Sequence, residues 1–448
     1  MDLQKLSGKK IAILGIGIEG LSLAKFLYKH KITDISLHDK KDVYSFSKEL
    51  DKLPAKPSLC LGKNYLKNLS KYDICFRSPG ISSNLQELKQ LYKDNKVFST
   101  TNLFFELCPS KIIGITGTKG KGTTATALYN ILKSSKKKVF LVGNIGKPAL
   151  DVLDQIDSKS IVIFEMSSFQ LEDIKYSPHI AVLLNLFRDH LDHHKDMQEY
   201  KDSKLRIFKF QKSTDYSIIH FQCKDLIKNL KIKSKKLYFG NADDTFVSVD
   251  KENIIINTNK TKHTFSTKNI KIPGSHNYLN IGVAGLIAKI FNVSDVYIQK
   301  TLDSFEGLEH RLEFVSEFKG VKYYNDSIAT VPESTIAAIK AFPNSKILIM
   351  GGSDKGADYS DLADAISKHR VKVAILMGVT SKKIKKSLKN KDVKIIQVAD
   401  LTQAVEKAKD TACLNDIVIL SPASASFDMF SGYKERGKKF KETVNQLS

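Results

Sequence analysis

A glycine-rich stretch with a lysine and nearby hydroxyls could bind phosphate groups. It lies within Lys111–Thr126, KIIGITGTKGKGTTAT, where an apolar run predicts a buried strand and the residues after Thr123 favour a helix. Glycines let backbone N–H groups approach phosphate oxygens, a helix N-terminus favours an anion, and Lys121 would neutralise it. The strict P-loop spacing needs glycine at 115 and a hydroxyl at 122, but the chain has Ile115 and Gly122. A plain glycine-rich turn therefore stays the alternative.

Polar residues follow two further predicted strands. The strand in SIVIFEMSS ends at Glu165, a carboxylate that could hold Mg²⁺ beside the phosphate loop or merely cap the strand. The strand in IAVLLNL ends near Asn185 and precedes an Asp- and His-rich cluster without cysteine. One histidine of that cluster could contact Mg²⁺ or phosphate, and the others are expected to supply loop polarity.

An inward-pointing lysine is predicted in the helix of DMQEYKDSKLRIFKF. Met197, Tyr200, Ile207 and Phe208 fall on one apolar stripe, and Lys204 lies on the same stripe. A buried ammonium must be paired, neutralised or modified, because its desolvation is costly. The alternative is a lysine that reaches solvent at the edge of the stripe.

The first hundred residues predict a second nucleotide site. Gly15, Gly17 and Gly20 have the GxGxxG spacing between a strand and a helix, and a second strand ends at Asp39. This is the Rossmann pattern, with an acid placed to hold a ribose. The later turn Ser78–Gly80 follows another strand and would either line the same crevice or be an ordinary turn.

The rest of the chain predicts a helix start and another α/β region. Asn277 and Asn280 lie one helical turn apart, so both amides could face one ligand, or the segment could simply begin a helix. From Gly307 onward, strands such as the one ending at Asn325–Ser327 alternate with helices. That alternation predicts a second open sheet with its loops at the strand carboxyl ends.

Composition narrows the class of protein. The chain has 448 residues and 42% hydrophobic residues, enough for about three domains with real cores. It has neither a run of about 18 apolar residues nor a signal-peptide pattern, so we expect a cytoplasmic protein. Five cysteines without a CxxC spacing predict core thiols and no disulfide. The net charge of +23 is dispersed, which disfavours nucleic acid but would attract anionic nucleotides.

Ten sequence blocks, which follow one another along nearly the whole chain, resemble the Mur ligases. They are GITGTKGKGTT, GNIGKPAL, EMSSFQLE, LNLFRDHLDHH, YKDSKLRIF, GSHNYLN, GLEHRLE, YNDSIATVPEST, GGSDKGADY and LSPASASFDMFSGYKERG. The N-terminal GxGxxG and the SxSFD…F…RG ending favour the member that adds D-glutamate. Three alternatives remain, namely another Mur-type or folylpolyglutamate ligase, an NAD-dependent dehydrogenase and a nucleic-acid-binding ATPase.

The resemblance implies an α/β fold of three domains. Residues 1–99 would form a Rossmann-like domain for the UDP-sugar substrate, residues 100–306 a P-loop-type ATPase domain, and residues 307–448 a Rossmann-like domain for the amino acid. The implied reaction joins D-glutamate to UDP-N-acetylmuramoyl-L-alanine through an acyl phosphate, in cytoplasmic peptidoglycan precursor synthesis. ATP, two Mg²⁺ ions and a CO₂-derived carbamate on Lys204 would take part. We expect a monomer with neither nucleic acid nor membrane as partner.

The resemblance also carries site residues onto this sequence. Catalysis would involve Lys121, Glu165, His190 and Lys204, and the metal ligands would be Thr123, Glu165, His190 and carbamylated Lys204. ATP would contact Gly117, Thr118, Lys119, Gly120, Lys121, Gly122, Thr123, Asn144, Asn277, Asn280, Arg311 and Asp326. The UDP portion would contact Gly17, Ile18, Glu19, Asp39, Lys40, Lys41, Ser78 and Gly80. D-Glutamate would contact Thr330, Lys355, Ser426 and Tyr433.

Several positions depart from the family pattern. Lys119 replaces a common asparagine, and Gly122 removes a hydroxyl, so Thr123 would have to serve the metal. Ile328 stands where several relatives have lysine, and Tyr433 stands where phenylalanine is usual.

Overall fold

Three β-sheets organise the chain, each formed by a consecutive run of strands. The computed structural model describes residues 3–43, 46–187, 189, 193–258, 261–272, 274–354 and 356–447. The first sheet contains β1 (Ile11–Leu14), β2 (Ile35–Asp39), β3 (Ser58–Leu61), β4 (Ile74–Arg77) and β5 (Val97–Ser99). The second contains β6 (Lys111–Thr116), β7 (Val139–Gly143), β8 (Ile161–Glu165), β9 (Ile180–Leu183), β10 (Tyr216–His220), β11 (Lys235–Phe239), β12 (Val247–Val249), β13 (Asn253–Asn257) and β14 (Lys262–Ser266). The third contains β15 (Glu313–Phe318), β16 (Val321–Asn325), β17 (Lys346–Gly351), β18 (Val371–Met377), β19 (Lys394–Gln397) and β20 (Ile417–Leu420).

Helices alternate with most of these strands. The first group is α1 (Ile18–Lys29), α2 (Ser47–Leu50), α3 (Gln86–Lys93), α4 (Thr100–Leu107), α5 (Lys121–Ser134), α6 (Ala149–Val152), α7 (Ser168–Leu171) and α8 (Met197–Leu205). The second group is α9 (Ser275–Ile290), α10 (Asp295–Ser304), α11 (Pro332–Lys340), α12 (Ser360–Lys368), α13 (Ser381–Ser387), α14 (Leu401–Thr411) and α15 (Tyr433–Asn445). In the part of the chain that the structure describes, no helix combines the length and apolar character required to cross a membrane.

The sheets are mainly parallel, as the alternation of strands and helices predicts. The first sheet has the order β3-β2-β1-β4-β5 with every pair parallel. The second has the order β14-β13-β12-β11-β10-β9-β6-β8-β7, with antiparallel pairs only within β12–β14. The third has the order β15-β16-β20-β17-β18-β19, with β15 as an antiparallel edge. Parallel strands end at the same edge of a sheet, so their following loops collect there.

The inner strands are apolar along their whole length because both of their faces are covered. Every residue of β1, β9, β17 and β20 is buried. Such continuous burial is typical of parallel sheets with helices on both faces.

The chain forms two compact units, Met1–Ser266 with Leu279–Thr301, and Thr267–Tyr278 with Leu302–Ser448. The predicted domain boundaries after residues 99 and 306 stay predictions.

Two sequence predictions need correction. The helix predicted across residues 196–210 ends earlier, because α8 stops at Leu205 and a 3₁₀ turn follows over Arg206–Phe208. The tighter turn buries the adjacent side chains of Ile207 and Phe208. All five cysteines are free, as predicted, but Cys413 is exposed and is therefore not a core thiol.

Candidate functional site

The predicted phosphate loop connects β6 to α5. Gly117 and Gly120 have φ angles of +152° and +85°, which side chains rarely adopt, and Gly120 caps α5. Lys121 begins the helix, and its ammonium donates to the carbonyls of Gly117 (2.9 Å) and Thr118 (3.1 Å). The loop therefore has the strand, glycines, lysine and helix N-terminus of a phosphate site, and the plain-turn alternative loses support.

Asn185, just beyond β9, holds this loop in place. Its Oδ1 accepts the backbone N–H groups of Thr118 (3.1 Å) and Lys119 (2.8 Å), and its Nδ2 donates to the Lys119 carbonyl at 3.0 Å. The Thr118 hydroxyl also lies 2.9 Å from the hydroxyl of Tyr200 in α8. Sequence reasoning placed Asn185 only as a strand end. A lone amide directly after a buried strand was the signal that could have marked it.

Asn280 in α9 approaches the same loop. A Cβ atom on Gly120 would fall 2.6–2.9 Å from atoms of the Asn280 amide, so glycine is required there on two counts. Asn280 is buried, and Asn277 lies one turn earlier in α9. Thr123 is buried in the first turn of α5. The structure thus brings Asn280 to the phosphate loop, while a shared ligand for both amides stays a prediction.

Glu165 and Asn144 come together at the carboxyl edge of the second sheet. Glu165 is the last residue of β8 and pairs with Ile115 of the strand that leads into the loop. The Asn144 N–H donates to the Glu165 carbonyl at 3.4 Å, and a Cβ on Gly143 would lie 2.3 Å from that carbonyl. Glu165 is 5% exposed, which does not fit a carboxylate that only caps a strand in solvent.

Lys204 points inward from α8, as its stripe predicts. The side chain is 1% exposed, and its ammonium donates to the Thr116 hydroxyl at 3.3 Å and lies 4.9 Å from the centre of the Tyr200 ring. Burial first, and then the neighbouring charge of Lys121, lower the pKa of Lys204 well below its usual value. An amine of this kind is neutral at a lower pH than an exposed lysine, and a neutral amine is a nucleophile.

The predicted metal site is only partly covered by the structure. His190 lies outside the described residues, as does Lys355 of the predicted D-glutamate site. Within the described ranges, no group of three or more His, Cys, Asp and Glu side chains is placed to hold a metal. Glu165 and Thr123 offer oxygen atoms, the ligand type that Mg²⁺ prefers, and a carbamate on Lys204 would add two more. The available donor chemistry therefore fits Mg²⁺.

The N-terminal glycine turn is held by its own polar residues. Gly15 has a φ of +94°, and the Ser78 hydroxyl donates to its carbonyl at 3.0 Å. The Asp39 carboxylate accepts the N–H groups of Ile16 (2.9 Å) and Lys41 (3.0 Å). In this structure Asp39 and Ser78 shape the turn, and their contacts with a nucleotide stay predictions.

Most residues predicted to contact a ligand around this turn are exposed, whereas Glu19 is hydrogen-bonded within the protein. Ile18 is 77% exposed at the start of α1, and Gly17, Lys40, Lys41 and Gly80 are also exposed. Glu19 is tied instead, because its carboxylate accepts hydrogen bonds from the Thr100 hydroxyl (2.7 Å) and the Gln170 amide (2.6 Å). Burial raises the pKa of Glu19. Glu19 therefore joins α1 to α4 and α7, and the exposed residues are the ones accessible to a ligand.

Asp326 follows β16 in the second compact unit. Its carboxylate accepts hydrogen bonds from the Ser421 hydroxyl (2.8 Å) and the Leu312 N–H (3.2 Å). Burial raises the pKa of Asp326 to about 7, and the hydrogen bonds from Ser421 and Leu312, followed by the charge of exposed Arg311, partly oppose that rise. A carboxyl group that titrates near neutrality is frequent in functional sites.

A buried arginine that sequence reasoning missed organises the loops around Asp326. Arg436 is fully buried in α15 and donates to the Ser327 hydroxyl (3.0 Å) and to the Ser327 (2.9 Å), Ser424 (3.1 Å) and Ala425 (3.1 Å) carbonyls. The Ser327 hydroxyl donates to the Tyr433 carbonyl at 2.8 Å. The arginine lies in the SGYKERG block and could have been assigned from it.

These bonds bring predicted D-glutamate positions together. Ser426 is buried and directly follows the carbonyls that Arg436 holds, and Tyr433 is held through Ser327. Thr330 is half-buried, and its N–H donates to the Ile328 carbonyl at 2.9 Å. The contacts place Ser426 and Tyr433 around Ser327, whereas their contact with an amino acid stays a prediction.

Three mainly parallel sheets alternate with helices, and a phosphate loop follows a strand of the second sheet. This arrangement is that of a multidomain nucleotide-binding protein. The sequence matches the Mur ligase MurD-like N-terminal domain over residues 9–97, the Mur ligase middle domain over residues 115–288, and the Mur ligase glutamate ligase domain over residues 310–424. The chain belongs to the Mur ligase family, which confirms the resemblance seen in its ten sequence blocks.

Relatives match this chain from end to end. A UDP-N-acetylmuramoylalanine–D-glutamate ligase from Acetivibrio thermocellus is 38% identical over 459 residues, covering 99% of this chain and 98% of the relative. A ligase of the same name from Ruminiclostridium cellulolyticum is also 38% identical, covering 99% of this chain and 97% of the relative. In each comparison, this chain and its relative are matched over nearly their full lengths.

Solved structures support the fold. A UDP-N-acetylmuramate-alanine ligase from Thermotoga maritima has a TM-score of 0.60 at 16% identity, covering 98% of this chain and 99% of that chain. A MurF ligase from Thermotoga maritima in complex with ADP has a TM-score of 0.58 at 17% identity, covering 92% of this chain and 96% of that chain. The predicted three-domain α/β fold is therefore confirmed.

Proposed function

We propose that this chain adds D-glutamate to UDP-N-acetylmuramoyl-L-alanine at the expense of ATP, as a step in making peptidoglycan precursors. The observation that carries this proposal is the 38% identity to ligases named for D-glutamate over 99% of the chain. The name of these relatives confirms the prediction of a ligase of the D-glutamate-adding type. The phosphate loop from Gly117 to Lys121 supplies the site for ATP.

The reaction must activate an unreactive carboxylate. The alanine carboxylate of the UDP-sugar attacks the γ-phosphorus of ATP, which forms an acyl phosphate and releases ADP. The neutral amine of D-glutamate then attacks the acyl carbon, and the tetrahedral intermediate expels phosphate as the amide forms. Three anionic reactants must meet in these steps, so relief of their repulsion is the main task of the site.

Phosphate binding falls to the loop and Lys121. In the structure the Lys121 ammonium donates to the carbonyls of Gly117 and Thr118, which holds its charge over the loop. Backbone N–H groups at the start of α5 would donate to phosphate oxygens, in a loop that Asn185 holds by hydrogen bonds and that Asn280 approaches at Gly120. Asn144 would border the same nucleotide, beside Glu165.

Two Mg²⁺ ions would be held by Thr123, Glu165, His190 and a carbamate on Lys204. Bound Mg²⁺ would neutralise phosphate charge during phosphoryl transfer. The burial of Lys204 and its lowered pKa support carbamate formation, because only the neutral amine reacts with CO₂. Carbamylation would replace an unfavourable buried cation by an anion with two ligand oxygens.

The other two sheets would supply the remaining contacts. The UDP portion would be bound by the residues around the N-terminal glycine turn, of which Asp39 and Ser78 also hold the turn in shape. These residues are Gly17, Ile18, Glu19, Asp39, Lys40, Lys41, Ser78 and Gly80. Asn277, Arg311 and Asp326 would complete the ATP site, and Thr330, Lys355, Ser426 and Tyr433 would bind D-glutamate. We propose that the enzyme acts as a cytoplasmic monomer.

The deciding experiment measures ADP and phosphate release from ATP with UDP-N-acetylmuramoyl-L-alanine. D-Glutamate should trigger release and give a product heavier by one glutamyl residue, whereas L-glutamate, L-lysine and diaminopimelate should not. Lys121→Ala should leave little activity, and Lys133→Ala, a matched change at the far end of α5, should retain it. Release with UDP-N-acetylmuramate and L-alanine, or with a folate and glutamate, would contradict the proposal.

A further inference from the structure

Arg77 is a fully buried cation at the carboxyl end of β4. It pairs in register with Leu14 of β1, the strand that leads into the N-terminal glycine turn. Ser78 follows Arg77 directly and begins the later turn that is predicted to contact the UDP portion. The Arg77 Nη1 donates to the Ile81 carbonyl at 2.5 Å, and the Ile81 N–H donates to the Ser78 carbonyl at 3.0 Å. Arg77 therefore holds the far end of this turn.

Two carboxylates balance the charge of Arg77. The Asp173 Oδ2 lies 3.1 Å from Nη2 and accepts a hydrogen bond from Nε at 3.4 Å, and the Glu172 Oε2 lies 3.3 Å from Nη1. The Asp173 carbonyl also accepts the side-chain amide of Asn102 in α4 at 3.0 Å. Both acids directly follow α7, which begins shortly after Glu165, the last residue of β8. Arg77 thus joins the turn at the first sheet to the segment that follows β8 in the second sheet.

Glu172 extends this network to the Asp- and His-rich cluster that follows β9. Its Oε1 lies 2.7 Å from the Nε2 of His193, while its Oε2 faces Arg77, so the two carboxylate oxygens have different partners. The side chains of Glu172 and His193 are 6% and 15% exposed. The His193 ring also lies against the ring of Phe169 in α7, with 4.2 Å between the ring centres. The turn, the end of α7 and the cluster are therefore fixed to one another by adjacent polar side chains.

A buried network of this kind contributes more to geometry than to stability. Removing charges from water is costly, and a buried ion pair often stabilises a protein no more than apolar residues of the same volume would. A guanidinium, however, donates in a rigid planar fork, so it sets the distances and angles between the groups that it joins. The substrate of the proposed reaction is long, because its UDP end would lie at the first sheet while its alanine carboxylate must reach ATP at the phosphate loop. The spacing between these two places therefore decides whether the substrate fits.

We propose that Arg77 is a positioning residue for the UDP-sugar substrate. Its guanidinium holds the Ser78–Gly80 turn at the distance from α7 at which one substrate molecule spans the turn and the phosphate loop. Arg77 is 1% exposed, so it acts through the turn and does not touch the substrate. The inference rests on the proposed function, since it requires that this turn contacts the UDP portion.

Binding to the full chain, measured by calorimetry without turnover, tests the proposal with UDP-N-acetylmuramoyl-L-alanine in one titration and ADP in another. Arg77→Lys keeps the charge but loses the fork, so the Kd for the UDP-sugar should rise about tenfold while the Kd for ADP changes by less than about twofold. Lys93→Gln, at an exposed position of α3, is the control and should bind both ligands as wild type does. An unchanged Kd for the UDP-sugar in Arg77→Lys, or equal losses of affinity for both ligands, would overturn the proposal.

A variant without the ionic groups separates positioning from folding. Arg77→Met combined with Glu172→Gln and Asp173→Asn removes the cation together with its two carboxylates, so the thermal midpoint should stay close to that of wild type. The Kd for the UDP-sugar should still rise about tenfold, because the fork is lost. A wild-type Kd in this variant would overturn the inference. A wild-type chain that binds no UDP-sugar would contradict the proposed function as well, whereas wild-type binding that Arg77→Lys leaves unaltered would contradict this inference alone.

Discussion

The Lys204 ammonium lies 3.3 Å from the Thr116 hydroxyl, on a side chain that is 1% exposed, with the charge of Lys121 nearby. A full positive charge is unfavourable there, because desolvation and a like charge both oppose it. The position favours either a neutral amine or a modification that reverses the charge. This relationship, at the end of the strand that leads into the phosphate loop, underlies the first prediction.

Lys204→Ala should reduce ligase activity by at least about a hundredfold, the scale seen when one electrostatic group of an active site is removed. Formate or acetate added to this variant should restore part of the rate, because a small carboxylate can occupy the space of the carbamate. Lys209→Ala, at an exposed position just after α8, is the control and should behave as wild type. A nearly normal rate for Lys204→Ala would contradict a catalytic role, and a lack of rescue would argue against carbamylation.

Asn185→Ala should destabilise the phosphate loop and weaken the binding of ATP. The change removes the acceptor of the Lys119 N–H, whereas the Thr118 N–H keeps the backbone carbonyl of residue 185 at 3.0 Å, so the free energy of unfolding should fall by about 1 kcal/mol. The KM for ATP should rise several-fold, measured by ADP release at varied ATP, and the thermal midpoint should fall. An unchanged KM for ATP would show that the loop keeps its shape without this amide.

The sequence predicted those parts of the fold and the candidate site that depend on short segments of the chain. Strands β1, β2 and β8 and the turns after them were predicted because apolar runs and glycines report local structure directly. The inward orientation of the Lys204 side chain was predicted because helical periodicity places Lys204 on a stripe of apolar residues. These are properties of short segments.

Long-range partners escaped prediction from residue pattern alone. The bonds from Asn185 to the loop and from Arg436 to Ser327 join residues far apart in the chain, and no local pattern records such pairs. Glu19 is a similar case, since its predicted contact with the UDP portion stays a prediction, while the hydrogen bonds of its carboxylate to Thr100 and Gln170 were not predicted. Burial and pairing of polar groups depend on tertiary structure, which the pattern does not contain.

The pKa of Asp326 predicts a pH-dependent stability. Its folded-state value of about 7 lies above its ordinary value of 3.8, so between these values the unfolded chain loses a proton that the folded chain keeps. The free energy of unfolding should therefore fall as the pH rises through this window, by up to about 4 kcal/mol. Asp326→Asn keeps the shape and stays neutral, so it should flatten this dependence and stabilise the chain at pH 8. Urea unfolding at pH 5 and pH 8 measures the difference.

The same variant separates stability from function. If Asp326 contacts the nucleotide, Asp326→Asn should lose activity while it gains stability at pH 8, a combination that a purely structural residue does not give. Ser421→Ala removes one hydrogen bond to the carboxylate without changing its charge, and serves as the matched comparison. Parallel pH profiles of unfolding for wild type and Asp326→Asn would contradict the raised pKa.

Arg436→Met should destabilise the second compact unit by about 3–5 kcal/mol. The side chain is fully buried, and its guanidinium donates to Ser327, Ser424 and Ala425. Its removal leaves the Ser327 and Ser424 carbonyls without this donor, whereas the Ala425 carbonyl still accepts the Ser353 N–H. Arg436→Lys should recover only part of the loss, because an ammonium cannot reproduce the planar fork. Lys438→Ala, at an exposed position of the same helix, should change the free energy of unfolding by less than about 0.5 kcal/mol. Since Ser327 also holds Tyr433, the KM for D-glutamate should rise in Arg436→Lys, whereas the KM for ATP should change less. A lysine variant with wild-type stability and an unchanged KM for D-glutamate would show that these loops keep their positions without the arginine.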